Sequence, residues 1–161
     1  MKKILVLSDT HGYKKGVDKL LENVDFFDYV YFLGDGYGDI EDYIYAYPNK
    51  VEGVLGNCDR YFDGPSVIIN KVEDVTFLLT HGHDYHVKYG YETLAHLSNT
   101  KGVNCALFGH THIPTDVLQD GVRLINPGSL GSAYYKGTYS IITVNGSDID
   151  NRLMYIADLL D

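Results

Sequence analysis

The chain has 161 residues, 45% of them hydrophobic, with 13 Lys and Arg against 22 Asp and Glu and a formal net charge of −9. The length suits a single domain, 1–161, and the composition excludes a disordered chain. The acidity argues against long nucleic acid or an anionic membrane surface as partners, because both select a basic face.

In chain order, Ile4–Leu7 is a continuous apolar run, the pattern of a strand buried on both faces. The run is too short for the ~7–15 apolar residues of a signal peptide, and no stretch approaches the ~20 of a membrane span. The expected location is therefore the cytoplasm. Lys14–Val24 carries Val17, Leu20, Leu21 and Val24 at helical spacing. Tyr29–Leu33 reads as a strand, Asp39–Tyr47 as a short helix stopped by Pro48, and Val51–Leu55 as a strand. Ser66–Asn70 and Val75–Thr80 form a strand pair. A helix over Tyr89–Ser98 and a strand over Val103–Phe108 follow. The last third is mostly strand: Thr115–Gln119, Val122–Ile125, Thr138–Val144 and Arg152–Ile156, with hairpin turns at Asp120-Gly121 and Asn145-Gly146. Strands and helices alternate first and antiparallel strands come last, which predicts an α/β fold with two sheets. Two cysteines, Cys58 and Cys105, are too few for a disulfide framework and read as reduced thiols. Tyr43, Tyr45 and Tyr47, and the pair Tyr134-Tyr135, read as half-buried packing or an oligomer contact rather than a stacking platform.

The chemistry gathers where apolar runs stop. Five successive strand ends carry Asp9-Thr10-His11, Gly34-Asp35, Gly56-Asn57-Cys58-Asp59, Thr80-His81-Gly82-His83 and Gly109-His110-Thr111-His112. Open α/β sheets collect ligands at the carboxyl ends of their strands. Asp9 and His11 are two apart, as are His110 and His112, so in extended segments each pair shares a side. Asp35 has two oxygens, enough to bridge two ions. Asn57 offers a carbonyl oxygen and His81 a further imidazole. A donor set of imidazole and carboxylate without thiolate suits Mn, Fe, Zn, Ni or Co and argues against a thiolate-rich structural zinc. Each piece alone has a plain reading as a cap, a turn or a satisfied core histidine. The ordered set of five does not.

On these five motifs, joined by Asn126-Pro127-Gly128-Ser129, the sequence resembles the calcineurin-like metallophosphoesterases, in particular their small bacterial and archaeal phosphodiesterase branch. The resemblance runs from Leu7 to Ser129 and into the closing strands. It implies a four-layer α-β-β-α sandwich with two mixed sheets and two divalent metal ions per chain, with Mn²⁺ first and Ni²⁺, Zn²⁺, Fe²⁺ or Co²⁺ as alternatives. By the resemblance one ion is held by Asp9, His11, Asp35 and His112, and the other by Asp35, Asn57, His81 and His110. A hydroxide between the ions would attack phosphorus, and the cations would offset the charge of substrate and leaving group.

The sequence departs from larger relatives in two places. Cys58 stands where they carry a His after the Asn, which leaves protonation of the leaving group open. Gly38 stands where they place a second Asp, and the nearest carboxylate is Asp39. His83 either meets substrate phosphate, steadies His81 or has a plain loop role. The implied function is hydrolysis of small phosphodiesters, with Asn57 and His83 as the candidate catalytic residues. The alternatives are phosphomonoester hydrolysis, or a protein-binding scaffold like the retromer subunit of this fold. The reading of Gly34-Asp35-Gly36-Tyr37-Gly38 as a dinucleotide loop fails, because a carboxylate would face the pyrophosphate. His81-Gly82-His83-Asp84-Tyr85-His86 is likewise a poor match to a metallo-β-lactamase string, because its Asp comes one place early. Exposed sheet edges leave a homodimer open.

Overall fold

Alternation along β1 (Lys2–Leu7) sets the layering. Ile4, Leu5, Val6 and Leu7 are all fully buried, and successive side chains of a strand face opposite sides. Ile4 and Val6 pack with Tyr31, Phe77, Leu79, Leu107 and Ile142. Leu5 and Leu7 pack with Val17, Leu20, Val30, Phe32 and Ile40. One face of β1 thus meets a second sheet and the other meets helices. The computed structural model describes residues 1–131 and 136–160, so Tyr134 and Tyr135 lie outside the described residues.

In the first sheet β1 pairs in parallel with β2 (Tyr29–Phe32), which pairs in parallel with β3 (Val51–Gly53). On its other side β1 pairs antiparallel with β9 (Thr138–Asn145), and β10 (Asp148–Tyr155) closes that edge. The second sheet runs β4 (Val67–Val72), β5 (Val75–Thr80), β6 (Cys105–Leu107), β8 (Val122–Asn126) and β7 (Thr115–Gln119). In it β5, β6 and β8 are parallel and the two edges antiparallel. Helices α1 (Lys14–Leu21) and α2 (Tyr37–Ala46) cover the outer face of the first sheet through Val17, Leu20, Leu21, Tyr37 and Ile40. Helix α3 (Glu92–Thr100) covers the second through Leu94, against Leu78, Phe108 and Leu124. The result is the expected α-β-β-α sandwich with two mixed five-stranded sheets.

Several boundaries differ from the sequence reading by one or two residues, and three differ by more. Helix α3 starts at Glu92 rather than Tyr89, because Gly90 has φ +143° and breaks helical geometry. Strand β10 starts at Asp148, four residues before Arg152, because the hairpin at Gly146 pairs Asp148 with Asn145 and carries the ladder through residues of weak strand propensity. Helix α1 stops at Leu21, and a 3-10 turn at Val24–Phe26 buries Val24 instead. Tyr43 is half-buried and its hydroxyl donates to Asp18 at 2.7 Å, whereas Tyr45 is 78% exposed and packs against nothing in the core. Among the described residues no helix is long and apolar enough to cross a membrane.

Candidate metal centre

Backbone bonds tie the loops after β1 and β2 to each other, and those after β5 and β6 likewise. Asp9 N–H donates to Gly34 O at 2.9 Å and His11 N–H to Asp35 O at 3.1 Å, which ties the first loop to the second. Gly109 N–H donates to His81 O at 3.0 Å, tying the β6 loop to the β5 loop. Gly131 N–H reaches Asp9 O at 3.2 Å and Ser129 Oγ donates to the same oxygen at 2.7 Å, so the Asn126–Ser129 turn closes over the first loop.

The side chains converge by a different route from the one that spacing suggests. Asp9, His11, Asp35, His110 and His112 all have positive φ, from +46° to +71°. The two-apart pairs therefore do not sit in extended backbone. Left-handed turns re-aim each side chain toward a common point. Such turns cost of order 1 kcal/mol or more each in a non-glycine residue and persist where the surroundings over-determine them, commonly at functional sites. Asp and His are among the residues that tolerate this region best.

Two clusters of imidazole and carboxylate result, and a third joins Cys58 to His11 and Asp35. Asp9, His11 and His112 bring one ligand atom each within 4.8 Å of one another, and so do Asp35, His81 and His110. Asp9 Oδ1 lies 3.1 Å from His112 Nε2 and 3.6 Å from His11 Nε2. Asp35 Oδ2 lies 3.2 Å from His81 Nε2 and 4.0 Å from His11 Nε2, so this one oxygen faces both clusters. His11 Nε2 and His112 Nε2 are 3.3 Å apart, and His110 Nδ1 and His81 Nε2 3.2 Å. The far nitrogen of His81, Nδ1, lies 2.7 Å from Leu33 O. That contact orients the ring and leaves Nε2 for the centre. Asp9 Oδ2 accepts from Ser8 Oγ at 2.6 Å and His110 N–H at 3.1 Å, while Asp9 Oδ1 is buried with no hydrogen-bond partner among the described residues. A buried carboxylate oxygen turned toward imidazole nitrogens, with the rest of its group satisfied, is a donor shaped for a cation. The set fits divalent first-row ions.

The electrostatics agree for the carboxylates and for His110, whereas the Asp9 carboxylate pushes His11 up and, against its burial, Asp35 with Asp9 raises His81. Burial alone would raise the Asp9 carboxyl, but His11, His112, the charge of His81 and the Ser8 hydroxyl together hold it well below the ordinary range. Burial likewise opposes ionisation of Asp35, and His81 and the Cys58 N–H outweigh it. His110 is pushed down to about 4 by burial, helped by His81 and Lys88. Its imidazole is therefore neutral near neutrality, the form that binds metal. The carboxylates are ionised for the same role.

Asn57 and Cys58 are exposed at the lip. Cys58 N–H donates to Asp35 Oδ1 at 2.8 Å, and Asn57 Nδ2 lies 3.6 Å from Cys58 Sγ. Cys58 Sγ also falls within 4.8 Å of ligand atoms of His11 and Asp35, and burial, with the Asp35 charge, pushes the thiol up. The His83 ring stands 5.4 Å from that of His81 and 6.1 Å from that of His110, and its Nδ1 is buried without a partner among the described residues. His86 and His96 are exposed.

Residue spacing did not reveal the supporting polar groups. Asn126 Nδ2 donates to Gly109 O at 3.1 Å and to Thr111 Oγ1 at 3.0 Å, while its Oδ1 accepts from Gly128 N–H at 2.8 Å. The Asn-Pro-Gly turn signature was the available signal. The buried carboxylates Asp39 and Asp59 brace the other loops.

A family profile for the calcineurin-like phosphoesterase superfamily domain matches residues 1–148. A probable metallophosphoesterase of Mycoplasma pneumoniae is 33% identical over 135 residues, 81% of this chain and 80% of that protein. A conserved protein of Streptococcus pneumoniae, described as a predicted phosphoesterase, superposes with TM-score 0.82 at 22% identity over 97% of this chain and 90% of its own. A novel archaeal phosphodiesterase gives 0.72 at 21% identity over 94% and 99%. Vps29 of Chaetomium thermophilum gives 0.76 at 15% identity over 95% of each. At these identities the three solved structures speak for the fold alone.

Proposed function

The chain belongs to the calcineurin-like phosphoesterase superfamily, and on that premise we propose that this metal-dependent phosphoesterase is a phosphodiesterase for small substrates, built as one domain over 1–161. The observation that carries the reading is the pair of clusters, Asp9–His11–His112 and Asp35–His81–His110, with Asp35 facing both. In this reading Asp9, His11, Asp35 and His112 hold one divalent ion, and Asp35, Asn57, His81 and His110 hold the other, with Mn²⁺ the first metal to load. When bound, the two ions would make water a better nucleophile and would offset the charge of the phosphoryl oxygens.

The chain's own residues do the rest. Asp9 and Asp35 stay ionised and His110 stays neutral, so the donors are ready without proton release from those groups. Leu33 O fixes the ring of His81. His83, beside His81 and His110, is placed to meet a phosphoryl oxygen or to steady its neighbours. Cys58 occupies the position of an imidazole acid with a thiol that its surroundings keep protonated. Good leaving groups should therefore be favoured over poor ones. Two free cysteines support a reducing, cytoplasmic setting.

The test is metal depletion with a chelator, readdition of Mn²⁺, and hydrolysis of a nitrophenyl phosphodiester beside the monoester. The expected result is metal-restored turnover with the diester ahead. A faster monoester would assign the site to phosphomonoesters. No turnover of either ester over a panel of divalent metals would leave the protein-binding scaffold as the function of this fold.

A further inference from the structure

Behind the ligands, the hydrogen bonds that hold the loops are divided between two buried aspartates. Asp59 is 4% exposed, and its carboxylate accepts four backbone N–H groups. Oδ2 takes Asp35 N–H and Gly56 N–H, both at 2.8 Å, and Oδ1 takes Gly36 N–H and Tyr37 N–H, both at 3.0 Å. Three of those donors lie on the loop of Asp35 and the fourth opens the loop of Asn57. A carboxylate has about four acceptor positions, so Asp59 has none left for a cation. Asp39 serves a different loop. Its Oδ2 accepts Thr10 Oγ1 at 2.6 Å and Gly12 N–H at 2.9 Å, the residues on either side of His11. Gly36 shows how tightly the two loops meet: a Cβ there would collide with Thr10 Oγ1 and come within 3.0 Å of Asp39 Oδ2.

We propose that Asp59 and Asp39 are positioning residues with separate duties. Asp59 sets Asp35 and through it both ions, whereas Asp39 sets His11 and through it only the ion of Asp9, His11 and His112. The proposal rests on the two-ion reading above. Its physical basis is the backbone. Asp35 has φ +59° and His11 φ +46°, conformations that relax unless the surroundings hold them. In each loop an aspartate supplies the acceptor that the turned N–H or hydroxyl groups would otherwise lack. Ligands displaced by a few tenths of an ångström fall outside the tolerance of a metal site.

The experiment is a Mn²⁺ titration by calorimetry on metal-free wild type, Asp59→Asn and Asp39→Asn, each shown to be folded by circular dichroism. Asparagine offers one acceptor oxygen and turns an NH₂ toward donors it cannot accept from. Loss of an outer-sphere partner of this kind typically weakens metal binding by about 10–100-fold. Asp59→Asn should weaken both binding steps by about tenfold or more. Asp39→Asn should weaken one step to that degree and leave the other within about threefold. If an asparagine variant fails to fold, Asp59→Glu and Asp39→Glu keep the charge, move the carboxylate by one methylene and should show the same division. A merely structural role would lower the melting temperature and leave the Mn²⁺ affinities of the folded protein unchanged, which would overturn the proposal. Equal weakening of both steps by the two substitutions would overturn the division of duties. The wild-type titration reads the underlying premise separately: fewer than two ions there would defeat the two-ion reading itself.

Discussion

Gly56→Ala is the sharpest local perturbation of the centre. A Cβ at residue 56 would stand 2.6 Å from Asp35 N and 2.8 Å from Asp35 Cγ, and it would overlap Asp35 Oδ1. Ordinary contact begins at 3.4 Å, so Asp35 N or the backbone of residue 56 must yield by about 0.8 Å, and Asp35 Oδ1 by more. Neither can do so freely, because Asp59 holds both Asp35 N–H and Gly56 N–H at 2.8 Å. Overpacking of this kind costs about 1–3 kcal/mol, or roughly 2–12 °C in melting temperature for a chain of this size. The consequence for the centre is larger. Metal–ligand distances tolerate about 0.2 Å, so a displaced Asp35 should weaken both ions. The assay is differential scanning fluorimetry with and without Mn²⁺. Wild type at 100 times its dissociation constant should gain about 2.7 kcal/mol per ion, and the variant should lose most of that gain. A folded Gly56→Ala protein with the wild-type Mn²⁺-induced shift would refute the placement of Asp35 at the heart of the site.

Other expectations reach further from the centre. Asp35→Asn should weaken both ions, whereas Asp9→Asn should weaken chiefly one, read as the two steps of a Mn²⁺ titration. Phe77 is fully buried between the two sheets, so Phe77→Ala should cost about 3–5 kcal/mol in urea unfolding. A loss below about 1 kcal/mol would contradict the packing of the layers. Arg123 donates to both oxygens of Asp116, at 2.9 Å and 2.8 Å, and also reaches Ile149 O, so it fastens the second sheet to β10 of the first. Arg123 holds the Asp116 carboxyl below its usual 3.8. Stabilisation from a depressed carboxyl is present above the unfolded value and lost as pH falls through the folded one. Asp116→Asn should therefore cost up to about 1 kcal/mol at pH 6 and progressively less below pH ~4. A cost that holds constant into strong acid would deny that the ion pair is its source.

The sequence by itself determined an α/β fold with two sheets and the donor inventory. The continuous apolar run Ile4–Leu7 and the turn pairs at Asp120-Gly121 and Asn145-Gly146 are local signals. They follow from backbone geometry that each short segment carries alone. The motifs at the strand ends were legible for the same reason, since an apolar run that stops at Gly, Asp or His marks its own end. Strand β10 was read four residues short, because its pairing comes from β9 rather than from the propensity of Asp148, Asp150 and Asn151. What only the tertiary structure decided is how the donors converge. Spacing suggested extended pairs, and the chain instead uses left-handed turns at Asp9, His11, Asp35, His110 and His112. No local rule selects those turns. They are held by bonds between loops far apart in sequence: Asp59 to Asp35, Asp39 to Thr10, Ser129 to Asp9, Asn126 to Gly109. A carboxylate that braces a loop and one that faces the centre are identical in the sequence. The difference between Asp59 and Asp35 lies in which groups the fold brings to their oxygens: four backbone N–H groups for Asp59, a single N–H from Cys58 and imidazole nitrogens for Asp35.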